Sequence, residues 1–253
     1  MRNNLFIKIL HMSEGPSILF LKNKLQRYKG KTVSKISGKT EFDESLFTNA
    51  TLIDIQTFGK NFLFVFKDFF VAIEVSLVGN VLVNKQKKVI AHFSFHFDEN
   101  EINFYNSNIL IQKGKPFDYF NFKTDISKPE FDAESILSEF QTKHAEEKIG
   151  DALLNQNILA GIGPIIRTET LYHAKIHPES LIKSIPEKKM IFLLKMVQDY
   201  AEEFLTLLKT DSVEKNALIF EKKNCPKDKT PITIETVGST KTYVCPKCQK
   251  LFK

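Results

Sequence analysis

Apolar residues recur with two different periods along the chain, and the change of period divides it into two halves. In residues 16–28 an apolar side chain returns every three or four positions, which predicts a first helix. Short apolar runs follow at residues 51–58, 61–66, 69–75 and 78–83, and they predict four strands.

A fifth strand and a hairpin are predicted next. In residues 92–97 every second residue is phenylalanine, so that three rings share one face of a strand. The polar residues 98–100 form a turn, and residues 101–105 return as the partner strand. The first half is therefore predicted to be a β-sandwich or a flattened barrel that is preceded by a helix.

Helical spacing dominates the second half. Helices are predicted over residues 135–140 and 146–155, and a third begins at Pro164, which suits a first helical position. A fourth begins at residues 184–187, where a serine and a glutamate three positions apart predict a capping box, and it extends to about Lys209.

The fold class predicted from these patterns is α+β. Residues 1–12 are an N-terminal extension and residues 13–112 a β-sandwich domain. Residues 113–130 lack a clear period and are the expected linker. Residues 131–219 form a helical domain, and residues 220–253 return to short strands in a β-hairpin tail.

The charge balance favours a polyanionic partner. The 253 residues carry a formal net charge of +6 and a pI near 9.0, and clustered cations gain affinity for nucleic acid by releasing phosphate counterions. The alternative is a lysine-rich composition without a specific partner, because only Arg2, Arg27 and Arg167 among the 36 basic residues are arginines.

Membrane insertion and a disulfide framework are not expected. No apolar run approaches the roughly 20 residues that a spanning helix needs. The N-terminal residues lack the small-residue cleavage site of a signal peptide. All three cysteines lie in the last 29 residues, which suits a reducing compartment. We expect a cytoplasmic, nucleoid-associated monomer.

The cysteines have the spacing of a metal site. Cys225 lies three positions before Asp228, and Cys245 lies three positions before Cys248, which is how two turns present four ligands to one tetrahedral ion. A structural zinc site is predicted, and a metal-free hairpin held by packing is the alternative. A carboxylate oxygen is an acceptable zinc ligand, so Asp228 completes the set.

A glycine turn joins two predicted helices. Residues 155–164 contain Gly161 and Gly163, directly before the helix that begins at Pro164. Glycines allow the backbone to approach a ligand closely, and a helix N-terminus attracts phosphate. The alternative is an ordinary tight turn.

The wider segment resembles a known DNA-binding element. Residues 151–156, 160–163, 168–171 and 176–179 resemble the helix–two-turn–helix of the formamidopyrimidine-DNA glycosylase and endonuclease VIII superfamily. The resemblance implies that this element grips the DNA backbone beside the lesion, and it assigns Asn155, Gly161 and Gly163 to DNA binding. Pro164 departs from the family, which usually has asparagine there.

The tail resembles the zinc finger of the same family, which has four cysteines. Asp228 stands in place of the second cysteine. The family carries an arginine at the finger tip that clamps a phosphate, whereas Thr240 occupies that position here. Lys241 beside it is assigned to DNA binding as a point charge, and a plain surface lysine is the alternative.

Residues 12–19 resemble the opening of the family, in which the α-amine of the first residue attacks the deoxyribose C1′ and forms a Schiff base. Ser13 occupies the nucleophile position and Glu14 the position of the proton-shuttling carboxylate. If translation starts at Met12 and the methionine is removed, Ser13 supplies a primary amine. If it starts at Met1, Ser13 offers only a hydroxyl, which cannot form an imine.

Two further residues are assigned by this resemblance. Lys60 lies in a Gly-Lys turn whose lysine contacts the phosphate at the damaged site. Leu77 lies in a segment that fills the gap left by the extruded base, where an apolar wedge offsets part of the cost of unstacking. A core leucine at a strand end is the alternative for Leu77.

The sequence therefore predicts a DNA glycosylase with AP-lyase activity on oxidised bases, acting on double-stranded DNA with a damaged or abasic site. The alternative is a damaged-DNA-binding protein that keeps the scaffold without the chemistry, which the substitutions at Ser13, Ser17, Pro164, Asp228 and Thr240 favour. An RNA-binding protein is a third hypothesis, and it rests on charge alone.

Overall fold

The computed structural model describes residues 14–39, 42–238 and 240–253, with residues 77 and 78 described by their backbone alone. These residues form two compact units. The first is Ser17–Asn121, and the second combines Glu14–Pro16 with Phe122–Lys253. The division after Asn121 falls inside the predicted linker.

The first unit contains most of helix α1 and one antiparallel sheet of six strands in the order β1-β5-β6-β4-β3-β2. Helix α1 spans Gly15–Leu25. The strands are β1 (Lys35–Gly38), β2 (Asp54–Phe58), β3 (Asn61–Val65), β4 (Phe69–Val83), β5 (Phe93–Phe97) and β6 (Asn100–Lys113).

The hydrophobic core of this unit is rich in phenylalanine. Phe93, Phe95 and Phe97 are almost fully buried, so the alternation predicted for residues 92–97 is confirmed. Their neighbours in the core include Ile18 and Leu21 of helix α1. Aromatic rings bury a large apolar area, and most of these pairs pack edge-on or tilted, as with Phe93 against Phe95.

Two strands are longer than the pattern predicts. Residues 69–75 and 78–83 belong to one strand, β4, whose pairing with β6 shifts register between Val75 and Asn80. Strand β6 continues past its predicted end at residue 105 as far as Lys113, because its second part pairs with residues 69–75 of β4. That pairing is non-local, and the apolar run at residues 109–111, between polar residues on both sides, is too short to predict a strand by itself.

The second unit is helical and ends in a two-stranded hairpin, which confirms the predicted α+β class. The helices are α2 (Ala133–Lys143), α3 (Ile149–Ala152), α4 (Pro164–Ala174), α5 (Glu187–Lys209) and α6 (Val213–Asn216), and the hairpin strands are β7 (Thr233–Val237) and β8 (Thr240–Val244). Within the described residues, none of the helices has the length and the apolar character that crossing a bilayer requires.

The predicted capping box at residues 184–187 is wrong. Ser184 ends a short 3-10 helix, Ile185 is extended (φ −80°, ψ 126°), and helix α5 begins after Pro186. A residue before proline is disfavoured in the helical region, and this keeps Ile185 out of the helix. The predicted helix over residues 146–155 is also shorter, because α3 ends at Ala152 and turns follow.

Candidate functional site

The fully buried side chain of Glu14 lies at the amino end of helix α4. Its Oε2 accepts a hydrogen bond from the N–H of Gly163 and its Oε1 accepts one from the N–H of Ile165, both at 2.8 Å. N–H groups in the first turn of a helix have no partner within the helix, and the positive end of its dipole lies there. A carboxylate therefore complements this helix end. Pro164 has no N–H, but the two N–H groups that bind Glu14 belong to Gly163 and Ile165.

Glycines allow the segment that carries Glu14 to approach the turn closely. The backbone of Gly163 is extended (φ −124°), but a Cβ there would lie 2.6 Å from the Glu14 Cδ. The N–H of Gly15 donates to the carbonyl of Gly161 at 2.8 Å, and a Cβ on Gly15 would lie 2.9 Å from the Gly161 Cα. Gly161 itself has a φ of +103°, which favours glycine.

The sequence predicted that N–H groups of this turn face a phosphate. In the structure the N–H of Gly161 donates to the Gln156 Oε1 at 3.0 Å, and the N–H of Gly163 donates to Glu14. The Asn155 side chain accepts a hydrogen bond from the N–H of Asn157 at 3.1 Å. A phosphate at this turn would have to bind groups other than these two glycine N–H groups. DNA binding by Asn155, Gly161 and Gly163 stays a prediction.

Helix α4 also buries two charged side chains that the sequence analysis did not single out. The Glu169 carboxylate accepts hydrogen bonds from the N–H groups of residues 218–220, at 2.8 to 3.0 Å. The Arg167 guanidinium donates to the carbonyls of Lys241 at 3.0 Å and Gly150 at 3.4 Å. Burial lowers the pKa of Arg167 to about 10, against the opposing effect of Asp151 and Glu14, so it stays charged at neutral pH.

The predicted metal ligands lie together. One ligand atom from each of Cys225, Asp228, Cys245 and Cys248 lies within 4.8 Å of every other. The Sγ atoms of Cys225 and Cys248 are 3.8 Å apart. Two sulfurs bound at about 2.3 Å to one tetrahedral ion would also lie about 3.8 Å apart. The four residues could therefore hold one metal ion.

The electrostatics of this cluster suit a cation. The N–H of Thr230 donates to the Asp228 Oδ1 at 3.0 Å, and this hydrogen bond, with further ones from neighbouring side chains, lowers the pKa of Asp228 to about 2. The side chain is therefore a carboxylate at neutral pH. Burial, together with the neighbouring cysteines and Asp228, raises the pKa of Cys248 to about 12. A bound cation would reverse that effect, because metal ligation favours the thiolate.

The remaining predicted residues occupy turns and strands. Lys60 follows Gly59 (φ +51°) in the two-residue turn between β2 and β3 and is half-buried. Lys241 is exposed on strand β8. Ser13 lies outside the described residues. The structure therefore does not test the roles assigned to Ser13, Lys60 and Lys241.

Leu77 lies where strand β4 leaves its ladder. Val75 pairs with Ser107 and Asn80 pairs with Tyr105, so residues 76–79 together stand opposite Asn106 alone. Four residues against one form a pronounced bulge. The backbone at Leu77 therefore belongs to a protruding segment, whereas its side chain lies outside what the structure describes.

Replacing Gly163 by alanine tests the packing of Glu14. We expect Gly163→Ala to reduce the free energy of unfolding by about 2 kcal/mol or more, because the new Cβ would displace a buried carboxylate from its two donors. The control is the same substitution in a Glu14→Ala background, where the cost should fall below about 0.5 kcal/mol, measured by denaturant unfolding. An equal cost in both backgrounds would show that Glu14 does not require this glycine.

Comparisons with known proteins support the resemblance. The family model described as the formamidopyrimidine-DNA glycosylase H2TH domain matches residues 124–214. Endonuclease 8-like 3 of Mus musculus is 26% identical over 216 residues, which cover 81% of this chain and 36% of the relative. The chain thus spans about a third of that relative's length. Formamidopyrimidine-DNA glycosylase of Cytobacillus firmus is 26% identical over 276 residues, covering 94% of this chain and 100% of the relative.

Solved structures share the fold. Formamidopyrimidine-DNA glycosylase of Lactococcus lactis, bound non-covalently to DNA that contains an AP site, has a TM-score of 0.83 and 20% identity, covering 94% of this chain and 99% of the other. A viral DNA glycosylase has a TM-score of 0.78 and 20% identity, covering 94% of this chain and 100% of the other. The likenesses in sequence and in fold together make the chain similar to members of the formamidopyrimidine-DNA glycosylase and endonuclease VIII superfamily.

Proposed function

We propose that the chain is a base-excision-repair DNA glycosylase that removes oxidised bases and cleaves the resulting abasic site through an amine at residue 13. One observation carries the proposal. The carboxylate of Glu14, the residue next to that position, is fixed by two N–H groups at the start of helix α4. An acid held in one orientation, and next in sequence to the residue that would supply the amine, suits proton transfer at the sugar.

The chemistry needs a primary or secondary amine. The amine attacks the C1′ of the damaged nucleotide, the base departs, and the Schiff base that forms allows the strand to be cleaved. An α-amine has a pKa near 8, so a useful fraction is neutral at physiological pH. A Ser13 within a longer chain offers only a hydroxyl, and therefore the activity requires Ser13 to be the first residue.

The proposed partner is double-stranded DNA with a damaged or abasic site. The names of the relatives and the AP-site DNA bound by the Lactococcus lactis protein support this partner. Lys60 and Lys241 would contact phosphates, and Leu77 in the β4 bulge would enter the gap left by the extruded base. Phosphate contacts by lysines make such binding weaken steeply as salt is raised.

The proposed metal is zinc, in a structural role. Cys225, Asp228, Cys245 and Cys248 supply three sulfurs and one oxygen, a donor set that zinc accepts. When bound, the ion would cross-link the two turns that carry these ligands. The buried Arg167 side chain donates a hydrogen bond to the Lys241 carbonyl, and this contact holds strand β8 against helix α4 without the ion.

Trapping of the Schiff base tests the proposed chemistry. A chain whose first residue is Ser13 should become covalently linked to abasic duplex DNA when borohydride is added. A chain in which other residues precede Ser13 should not be linked through that position. Glu14→Gln in the first chain should slow trapping by about 100-fold or more, because the amide keeps the size of the side chain but cannot carry the proton, and its nitrogen cannot accept one of the two N–H hydrogen bonds. The adduct is measured on denaturing gels.

Matched variants separate chemistry from binding. Glu146→Gln, in a side chain that is 76% exposed, should leave trapping unchanged. Lys60→Ala should weaken both DNA binding and trapping, whereas Lys67→Ala, on the next hairpin turn, should change neither. If the chain that begins at Ser13 binds abasic duplex but is never trapped, it is a damaged-DNA-binding protein and the proposed activity is wrong.

Metal analysis tests the zinc site. We expect one zinc ion per chain after purification without chelators, and we expect Asp228→Cys to lose it more slowly to a chelator, because four thiolates bind zinc more tightly than three thiolates and a carboxylate. Elemental analysis and chelator competition measure both. Absence of zinc from both proteins would show that the tail is held by packing alone.

A further inference from the structure

A tyrosine of helix α4 contacts the metal cluster. The hydroxyl of Tyr172 lies 3.3 Å from the Sγ of Cys225, within the range for a hydrogen bond to sulfur. Cys225 is fully buried, and Tyr172 lies in the last turns of the same helix whose first turn binds Glu14. The side chain therefore connects this helix directly to one of the four candidate ligands.

A metal-bound cysteine sulfur carries no proton and can only accept a hydrogen bond. The tyrosine hydroxyl is then the donor. We propose that Tyr172 is a positioning residue of the metal centre, whose hydroxyl donates to the Cys225 thiolate, stabilises its negative charge and holds it for the ion. The proposal rests on the proposed zinc site and does not depend on the proposed glycosylase activity.

The ligand set explains why such a donor matters in this chain. Three cysteines and Asp228 bring four negative charges to a divalent ion, and each sulfur that receives a hydrogen bond places less negative charge on its neighbours. Groups that hydrogen-bond to metal ligands commonly change metal affinity by 10- to 100-fold. A phenylalanine at position 172 would fill the same space without a donor.

The turn that carries Cys245 and Cys248 is also held by a side-chain hydrogen bond. The side-chain oxygen of Gln249 accepts a hydrogen bond from the N–H of Cys245 at 2.8 Å, and its nitrogen donates to the carbonyl of Ile176 at 2.9 Å. Ile176 lies two residues after the end of helix α4. Tyr172 and Gln249 thus link both turns of the metal cluster to this helix and the residues that follow it.

The experiment compares the full chain with Tyr172→Phe. Zinc affinity is measured by competition with a chromophoric chelator, and Co²⁺ is substituted so that the sulfur-to-cobalt charge-transfer band reports on the thiolates. We expect Tyr172→Phe to bind zinc roughly 10-fold more weakly. We also expect the charge-transfer band to move to longer wavelength, because a thiolate without its donor gives up an electron more easily.

Tyr200→Phe is the matched control. It also removes one buried hydroxyl from the second unit, and that hydroxyl has no hydrogen-bond partner among the described residues. Its zinc affinity and cobalt spectrum should equal those of the parent chain. Thermal unfolding with and without chelator adds a test of folding, since a ligand stabilises only the state that binds it. The melting temperature of Tyr172→Phe should equal that of the parent chain in chelator and should be lower than that of the parent chain in zinc.

Two results would overturn the inference in different ways. If the parent chain binds zinc and Tyr172→Phe has the same affinity and the same cobalt spectrum, the hydroxyl does not act on Cys225, and the zinc site itself stands. If the parent chain binds neither metal, the zinc site is wrong and the role of Tyr172 falls with it. In both cases the trapping experiment still decides the glycosylase proposal separately.

Discussion

A charged group buried in a protein must be paired or hydrogen-bonded, and helix α4 meets this constraint with partners from distant parts of the chain. Its first turn binds the carboxylate of Glu14, and its Arg167 holds the backbone of strand β8. Its Glu169 holds the backbone of residues 218–220, and its Tyr172 reaches a candidate metal ligand. The proposed acid, the proposed metal centre and the exposed Lys241 are therefore all positioned from this helix.

The sequence predicts those parts of the fold that obey local periodicity. The alternating phenylalanines of β5, the hairpin after them and the helix that begins at Pro164 follow from spacing and turn chemistry alone. The second part of β6 and the start of α5 do not. The second part of β6 depends on pairing with a strand that is distant in sequence. The start of α5 depends on the conformation that Pro186 imposes on the residue before it.

The candidate site is predictable only in part. The metal ligands follow from cysteine spacing, with Asp228 in the place of a ligand, and Glu14 follows from the family resemblance. Arg167 and Glu169 could not be found this way, because polar residues within a helix ordinarily indicate a solvated face. Their partners lie 17 to 74 positions away, and only the folded chain brings them together.

The central claim is that the Glu14 carboxylate caps helix α4, and amide hydrogen exchange tests it most directly. The N–H of Ile165 lies in the first turn and donates to Glu14, whereas the N–H of Arg167 donates to the carbonyl of Gly163 within the helix. In Glu14→Ala we expect exchange at Ile165 to accelerate on the order of 10-fold or more, with a much smaller change at Arg167. Unchanged protection at Ile165 would contradict the account.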